Sequence, residues 1–196
     1  MSLPSARKVF ITGASSGIGH ALAEHYAAQG VVLGLVARRG ELLNAQADTL
    51  KQLGATEVAC YALDVTRREA VQAAAEDFIA RHGVPDIVIA NAGVSFGTLS
   101  EHHEDFEVIR RIFETNVFGM IATFMPFIAG MQQAAEQGRA CRLVGIASVA
   151  GVRGLPGAEA YSASKAAAIS YLESLRVELR ASGVKVVTIA PGYIET

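Results

Sequence analysis

The sequence predicts an α/β protein in which a doubly wound parallel sheet lies between two layers of helices. Short runs rich in β-branched residues alternate with longer segments of helical period along the whole chain. A glycine directly follows each predicted helix, at the position where a left-handed residue commonly ends a helix. Because strand connections through a helix are nearly always right-handed, this alternation predicts an open sheet in a three-layer α/β/α arrangement.

The alternation sets the bounds of each element. The predicted strands cover residues 9–12, 31–37, 58–63, 87–90, 143–147 and 185–189. The predicted helices cover residues 17–29, 41–53, 67–82, 102–137 and 160–182, and the glycines that end them are Gly30, Gly54, Gly83, Gly138 and Gly183. No linker, repeat or low-complexity segment interrupts this order, so residues 1–196 are predicted to form a single domain.

The composition excludes a disordered chain and a small cross-linked scaffold. Apolar residues make up 51% and charged residues 18% of the 196 positions. A chain of this length can bury a sufficient core without disulfides or a structural metal. Cys60 and Cys141 have neither a C-x-x-C spacing nor a histidine partner, so both are interpreted as small core residues.

The charge pattern argues against nucleic acid as a partner. The chain has 17 Lys and Arg against 19 Asp and Glu, and its basic residues occur singly or in pairs, which form no basic stripe. Residues 1–8 have no apolar region behind their positive charges, so a secretory signal is not expected and a cytoplasmic location is predicted.

A long uncharged stretch runs over residues 117–131. The segment is shorter than the roughly 20 residues that a membrane helix needs, and it contains Gly119, Thr123 and Pro126. We therefore expect a buried helix and no membrane partner.

A glycine-rich turn, TGASSGIG at residues 12–19, follows the first predicted strand and leads into a helix that begins around Ile18. Because Gly13, Gly17 and Gly19 have no side chains, backbone N–H groups of the turn can approach a pyrophosphate closely. The N-terminus of the following helix also favours negative charge. The turn, which also contains Ser15 and Ser16, is therefore predicted to bind a dinucleotide in a Rossmann-like fold. The alternative, an ordinary glycine turn at a βα junction, is less favoured with three glycines in seven residues.

The end of the second predicted strand indicates which dinucleotide binds. Folds of this kind that use NAD usually place an acid there to accept hydrogen bonds from the ribose 2′-hydroxyl. Here the strand ends in Arg38 and Arg39, and no acid follows until Glu41. Guanidinium groups suit a 2′-phosphate, so the cofactor is predicted to be NADP(H), with Arg38 as the better candidate. The alternative is that both arginines are simply solvated at the start of a helix. This alternative is more plausible for Arg39 than for Arg38.

Asp64 closes the third predicted strand. It either contacts the cofactor or caps the helix that follows, and the residues alone leave these two readings even.

Tyr161 and Lys165 are predicted to lie one turn apart on the same face of a helix. A lysine ammonium beside a phenol favours the ionised phenol and so makes it usable as an acid or base. Ser148 ends the apolar strand that precedes this helix, where ligands bind in open α/β sheets, and its hydroxyl can hydrogen-bond a substrate oxygen. The alternatives are a surface lysine on an amphipathic helix and a nucleophilic Ser148, but no Gly-x-Ser-x-Gly motif surrounds that serine.

These residues resemble the short-chain dehydrogenase/reductase family, and the resemblance runs through nearly the whole chain. The matching positions, in order, are Thr12-Gly13-x-x-x-Gly17-x-Gly19, Asn91-Ala92-Gly93, Asn116, Ser148, Tyr161-x-x-x-Lys165 and Pro191-Gly192. The family motif Asn-Asn-Ala-Gly reads Ala90-Asn91-Ala92-Gly93 here. Family members also continue with a substrate loop, a helix and a last strand, which this sequence lacks after Thr196.

The resemblance implies a catalytic tetrad. Tyr161 would be the general acid in reduction and the general base in oxidation, and Ser148 would polarise the substrate oxygen. Lys165 would promote ionisation of the phenol and bind the nicotinamide ribose. Asn116 would hold a water molecule that extends a proton relay.

The resemblance also implies further cofactor contacts. It favours Asp64 as a contact to the adenine ring, with Val65 behind it. Asn91, Ala92 and Gly93 would line the inner ribose and brace the sheet. The residues expected beside the nicotinamide carboxamide and the pyrophosphate are Pro191, Gly192, Ile194 and Thr196.

The predicted function is therefore NADP(H)-dependent interconversion of a ketone or aldehyde with an alcohol. One alternative is a catalytically silent NADP(H)-binding sensor or scaffold; a lyase or epimerase is a second. Family members commonly pair through their two long helices, so a homodimer or homotetramer is expected. Adjacent histidines such as His102 and His103 point in different directions on a helix, so no metal is expected.

Overall fold

A computed structural model of the protein describes residues 6–194 and confirms the predicted fold class. Within that range the structure contains a parallel six-stranded sheet in the order β3-β2-β1-β4-β5-β6. The strands are β1 (Lys8–Thr12), β2 (Val32–Ala37), β3 (Glu57–Ala62), β4 (Ile87–Ala90), β5 (Arg142–Ile146) and β6 (Lys185–Ile189). The strand order reverses between β1 and β4, and ligands of doubly wound sheets bind beyond the strand ends at such a reversal.

The helices follow the predicted order with boundary shifts of a few residues. They are α1 (Gly17–Ala27), α2 (Gly40–Gln52), α3 (Arg68–His82), α4 (Phe106–Phe113), α5 (Gly119–Glu136) and α6 (Glu159–Glu178). All the glycines predicted to end helices have positive φ angles, between 70° and 122°. A positive φ is therefore confirmed for the glycine that follows each predicted helix, although α6 itself ends at Glu178 and a 3₁₀ turn (Arg180–Ser182) separates it from Gly183.

The sheet is buried on both faces, as expected for a parallel sheet between helices. On one face Phe10 of β1 packs against Phe127 of α5, with ring centroids 4.9 Å apart, and against Phe78 of α3. Its neighbour Ile11 points to the other face and joins the cluster that contains Leu33. Since successive residues of β1 fill two separate cores, the end of this strand and the loop after it are held from both sides.

The helix predicted over residues 102–137 is continuous but is not a uniform α-helix, and the prediction was wrong in that detail. A short 3₁₀ turn (His103–Asp105) leads into α4, and a π-helical turn (Glu114–Phe118) joins α4 to α5. A π turn adds a residue to the helical repeat and is frequently found at functional sites. Here it places Asn116, which is fully buried, beside the carboxyl end of the sheet.

The segment that the sequence predicts to be too short for a membrane span is part of a longer helical run. Residues 103–136 form 34 continuous helical positions that are long and apolar enough to cross a membrane by length and composition alone, and 44% of the most apolar window is buried inside the protein. Core helices of soluble proteins pass the same test, and α5 packs Phe124, Phe127 and Met131 into the core. The prediction that this segment is too short to span a membrane was therefore wrong, and the cytoplasmic location stays a prediction.

Candidate active site

The turn between β1 and α1 (residues 12–19, hereafter the phosphate loop) packs closely against the loop that follows β4. Gly13 has a φ of +70°, and a Cβ atom there would lie 2.8 Å from the Cα atom of Ala92. A Cβ atom on Gly19 would lie 2.6 Å from Nδ2 of Asn91 and would clash with the carbonyl oxygen of Gly13. Glycine is required at both positions because any side chain would push the two loops apart.

Asn91 ties these two loops together. Its Nδ2 donates hydrogen bonds to the carbonyl oxygens of Thr12 and Gly13, both at 3.1 Å. In return the hydroxyl oxygen of Thr12 accepts from the backbone N–H groups of Asn91 and Ala92, at 3.2 and 3.3 Å. Asn91 and Thr12, both part of the motifs noted in the sequence, therefore hold the two loops together, and contact of Asn91 with the inner ribose stays a prediction.

The N-terminus of α1 is open toward solvent. Ser16 is its N-cap residue, with an extended backbone, and its side chain makes no capping hydrogen bond. The first N–H groups of a helix without such a cap are available to an anion, and the helix dipole favours negative charge there. The glycine cradle and the uncapped helix end together fit the pyrophosphate of a dinucleotide.

A cleft of about 340 Å³ opens beside the phosphate loop, which is a ligand-sized volume. The predicted cofactor residues that line it are Gly13, Ser15, Ser16, Ile18, Arg38, Arg39, Asp64, Val65, Asn91, Ala92 and Gly93. The sequence did not single out Ala37, Leu63, Val94 and Thr115, which also line it. We call this the dinucleotide cleft.

Arg38 and Arg39 directly follow β2, and both are exposed at this cleft. One guanidinium nitrogen of Arg39 donates to the hydroxyl oxygens of Ser15 and Ser16, at 3.1 and 2.8 Å. Arg39 thus reaches across the cleft mouth to the phosphate loop. Both arginines therefore lie where a charged group of a bound nucleotide can meet them.

Asp64 lines the cleft and does not cap α3. Its Oδ1 accepts hydrogen bonds from the N–H and the hydroxyl of Thr66, both at 3.0 Å, within a tight turn. The N-cap position of α3 belongs to Arg67. The capping alternative was wrong, and the turn leaves Asp64 facing the cleft.

A second cleft continues from the first toward β5 and α6. The two share Ile18, Asn91, Gly93 and Val94. The predicted residues that line the second cleft are Ser148, Tyr161, Lys165, Pro191, Gly192 and Ile194. Thr196 lies outside the described residues. We call this second cleft, of about 460 Å³, the catalytic cleft.

Ser148 follows the last residues of β5 and is 8% exposed. Its Oγ accepts a hydrogen bond from the backbone N–H of Ala150 at 3.2 Å. A hydroxyl that accepts in this way still has its own proton to donate. Ser148 is therefore positioned to donate a hydrogen bond to an oxygen of a molecule in the cleft.

Tyr161 and Lys165 face the same cleft from α6, as their spacing predicts. Nζ of Lys165 lies 5.8 Å from the centroid of the Tyr161 ring and donates to the carbonyl oxygen of Ile146 at 2.8 Å. Lys165 is only 4% exposed, and this burial lowers the pKa of its ammonium from 10.5 to about 8. The alternative of a solvated surface lysine was wrong.

Asn116 lies behind the catalytic cleft and does not line it. Its Oδ1 accepts from the N–H of Val94 at 2.8 Å, and its Nδ2 donates to the Val94 carbonyl at 2.9 Å and to Oγ of Ser164 at 3.0 Å. Oγ of Ser164 donates in turn to the Tyr161 carbonyl at 2.7 Å. The Asn116 side chain thus links the π turn, the loop after β4 and α6, and its water-holding role stays a prediction.

Ser164 is a hydrogen-bond partner of Asn116 that the sequence did not indicate. It is fully buried in α6, directly before Lys165. A serine within the predicted helix carried no signal that it meets an asparagine 48 residues away. Among residues 6–194, no group of three or more His, Cys, Asp or Glu side chains is placed to hold a metal ion.

A comparison with protein families identifies the chain, because the short chain dehydrogenase family matches residues 7–196. The chain belongs to the short-chain dehydrogenase family. Members of this family are oxidoreductases that bind a nicotinamide cofactor and act on CH–OH groups of small molecules. The phosphate loop and the dinucleotide cleft have the shape and donor groups that such a cofactor needs.

Among relatives, the chain is similar to an uncharacterised oxidoreductase of Myxococcus xanthus, with 42% identity over the whole chain and 75% of the relative. It is 36% identical to 11-beta-hydroxysteroid dehydrogenase A of Arachis hypogaea over 98% of this chain. The chain spans only 53% of the length of that plant protein.

Solved structures share the fold. An alcohol dehydrogenase of Thermococcus sibiricus complexed with 5-hydroxy-NADP has a TM-score of 0.89 and 29% identity, over 98% of this chain and 78% of that one. A short-chain dehydrogenase of Burkholderia phymatum in complex with NAD has a TM-score of 0.87 and 32% identity, over 97% of this chain and 66% of that one. Since both dinucleotides occur among the neighbours, the choice between them depends on the residues of this chain.

Proposed function

We propose that this short-chain dehydrogenase is an NADP(H)-dependent oxidoreductase that interconverts a ketone or aldehyde and an alcohol, with Tyr161 as the acid/base. One observation carries the proposal: Ser148, Tyr161 and Lys165 face a single cleft that is continuous with the dinucleotide cleft. The nicotinamide ring of a bound cofactor supplies or accepts the hydride.

The chain itself supplies the proton and the positioning. In reduction the Tyr161 hydroxyl donates its proton to the carbonyl oxygen of the substrate, and in the reverse direction the phenolate removes the proton of the alcohol. Ser148 Oγ–H donates a hydrogen bond to the same oxygen, which stabilises the negative charge that develops there. Lys165 stabilises the phenolate and would donate a hydrogen bond to the ribose of a bound cofactor, while Asn116 and Ser164 fix the start of α6.

The preference for NADP(H) is supported by charge at the end of β2. Arg38 and Arg39 are exposed at the cleft, and Arg39 reaches the phosphate loop. No carboxylate follows β2 before Glu41, so a 2′-phosphate at the end of this strand would meet two cations. A ribose 2′-hydroxyl would lack the carboxylate acceptor that NAD-binding folds of this kind usually provide.

Substituting either arginine tests the cofactor preference. We expect Arg38→Ala and Arg39→Ala each to lower kcat/KM for NADPH by about 10- to 100-fold, since each removes a charge-assisted hydrogen bond, and to leave kcat/KM for NADH nearly unchanged. Arg68→Ala is the matched control, because Arg68 is an exposed arginine at the start of α3. A parent protein that uses NADH more efficiently than NADPH would refute the preference.

A homodimer or homotetramer is proposed as the assembly. Large apolar side chains are exposed along the α4–α5 helical run, namely Phe106 (65%), Phe118 (62%) and Met125 (51%). These three side chains are not covered within one chain. Packing against the same helical surface of a second copy would bury them.

Solution scattering checks this assembly. We expect the mass of the parent to be two or four times that of one chain, and Phe118→Asp together with Met125→Asp to reduce it. The matched control is Leu42→Asp, a change at an exposed leucine on α2. A monomeric mass for the parent at working concentration would contradict the proposal.

A further inference from the structure

We propose that Gln46, supported by His20, is a positioning residue for the dinucleotide, because it fixes the phosphate loop against α2. Gln46 lies on α2 and is partly buried, 32 residues from the loop residue that it contacts. It lines neither cleft, so its effect on a bound nucleotide passes through the loop.

The contact is made to the backbone of Ala14, which is fully buried in the middle of the phosphate loop. Nε2 of Gln46 donates to the Ala14 carbonyl oxygen at 3.0 Å. The backbone N–H of Ala14 donates to the carbonyl oxygen of Val36 in β2 at 3.1 Å. Ala14 is therefore tied to the sheet by its N–H and to α2 by its carbonyl.

The identity of each donor follows from the chemistry of the carbonyl group. A carbonyl oxygen only accepts, so the NH₂ group of Gln46 must face Ala14 and its Oε1 must face the other way. There Oε1 is hydrogen-bonded to Nδ1 of His20 on α1, and this ring nitrogen must therefore carry a proton. Nε2 of the same ring lies 3.5 Å from Oε1 of Glu24, one turn further along α1. His20 thus holds the glutamine amide in the orientation that bonds the loop.

This link connects the two halves of the dinucleotide cleft. Ser15 and Ser16 of the loop line one side, while Arg38 and Arg39, which directly precede α2, line the other. The contact between Arg39 and the two serines is exposed to solvent, whereas the Gln46 contact reaches the buried residue beside them. Without the Gln46 side chain, this buried contact between the phosphate loop and α2 is lost. Nucleotide binding must then also order the phosphate loop, and the entropic cost of that ordering weakens the affinity.

The inference rests on the proposed binding of a nicotinamide dinucleotide at this loop and is independent of which dinucleotide is preferred. Binding of NADPH and of NADH is measured by titration for the parent, Gln46→Met and Gln46→Glu. Methionine removes both hydrogen bonds, and glutamate keeps an acceptor for His20 but presents a second oxygen to the Ala14 carbonyl. We expect both variants to raise the Kd of the better-bound dinucleotide about three- to tenfold.

Steady-state kinetics and a control on the same helix separate positioning from a general loss of structure. KM for the dinucleotide should rise with the Kd, and kcat at saturating dinucleotide should stay at the parent value, because Gln46 does not contact Ser148, Tyr161 or Lys165. Gln52→Met is the control, since Gln52 is the exposed last residue of α2, and it should leave the Kd unchanged.

A double-mutant cycle tests the pairing of Gln46 with His20. His20→Ala should raise the Kd in the parent and have no further effect in Gln46→Met, because the two side chains act through one contact. A Kd of Gln46→Met within about twofold of the parent, or an equal effect of His20→Ala in both backgrounds, would overturn the inference. A parent that binds neither dinucleotide would overturn it together with the proposed function. A preference for NADH with the Gln46 effect intact would overturn only the choice of NADP(H).

Discussion

Replacing Tyr161 with phenylalanine is expected to lower kcat for carbonyl reduction by about 100- to 10,000-fold, which is the usual contribution of a positioned general acid. The substitution removes only the hydroxyl that donates the proton. The ring stays on α6, and Lys165 and Ser148 keep their hydrogen bonds to the Ile146 carbonyl and the Ala150 N–H. The Kd for NADPH should therefore remain close to that of the parent.

The matched control is Tyr171→Phe on the same helix. Tyr171 is half-buried and lines neither of the two clefts, so removal of its hydroxyl should leave kcat near the parent value. Rates are followed by loss of NADPH absorbance, with nucleotide binding titrated separately. Retention of more than about a tenth of the parent kcat in Tyr161→Phe would show that another group delivers the proton.

Replacing Lys165 with methionine is expected to abolish turnover and, at the same time, to stabilise the fold. Burial lowers the pKa of the ammonium from 10.5 to about 8, so the folded protein binds this proton less tightly than the unfolded chain does. At pH 7 burial of this charged ammonium therefore lowers the free energy of unfolding of the parent by at most about 3 kcal/mol. Loss of the charge-assisted hydrogen bond to the Ile146 carbonyl offsets about 1.5–3 kcal/mol, which leaves a net gain of at most about 1.5 kcal/mol in the free energy of unfolding.

The pH dependence of this gain has a definite sign. The penalty on the parent is complete below about pH 8, where both folded and unfolded chains hold the proton, and it disappears as the pH rises toward 10.5. The advantage of Lys165→Met should therefore be constant up to about pH 8 and shrink above it. Denaturant unfolding at pH 7 and pH 10 measures this, with the exposed Lys185→Met as control. A variant less stable than the parent at pH 7 would show that the buried ammonium contributes to stability instead.

The regular elements of this fold were predictable because their signals are local. β4 and β6 occupy the predicted ranges, and the glycines predicted after the helices have the positive φ angles that glycine tolerates best. The phosphate loop and the Tyr161–Lys165 pair were also within reach, since their chemistry depends on residue types at short, fixed spacings.

Other features depend on contacts between distant segments, which spacing does not encode. The π turn around Asn116 changes the hydrogen-bond pattern of a helix without changing its apolar period, so periodicity predicted one uniform helix. The contact of Gln46 with Ala14 and that of Asn116 with Ser164 join residues that only the assembled layers bring together. The burial of Lys165 likewise depends on how α6 packs over the end of β5.

The most direct test of the account is NADPH consumption by the parent protein against a panel of ketones and aldehydes, with the alcohol product measured in the same samples. The arrangement of Ser148, Tyr161 and Lys165 beside the dinucleotide cleft predicts that, for at least one carbonyl compound, one alcohol forms for each NADPH consumed. Tight binding of NADPH with no alcohol formed from any member of the panel would contradict the account and favour a silent nucleotide-binding protein.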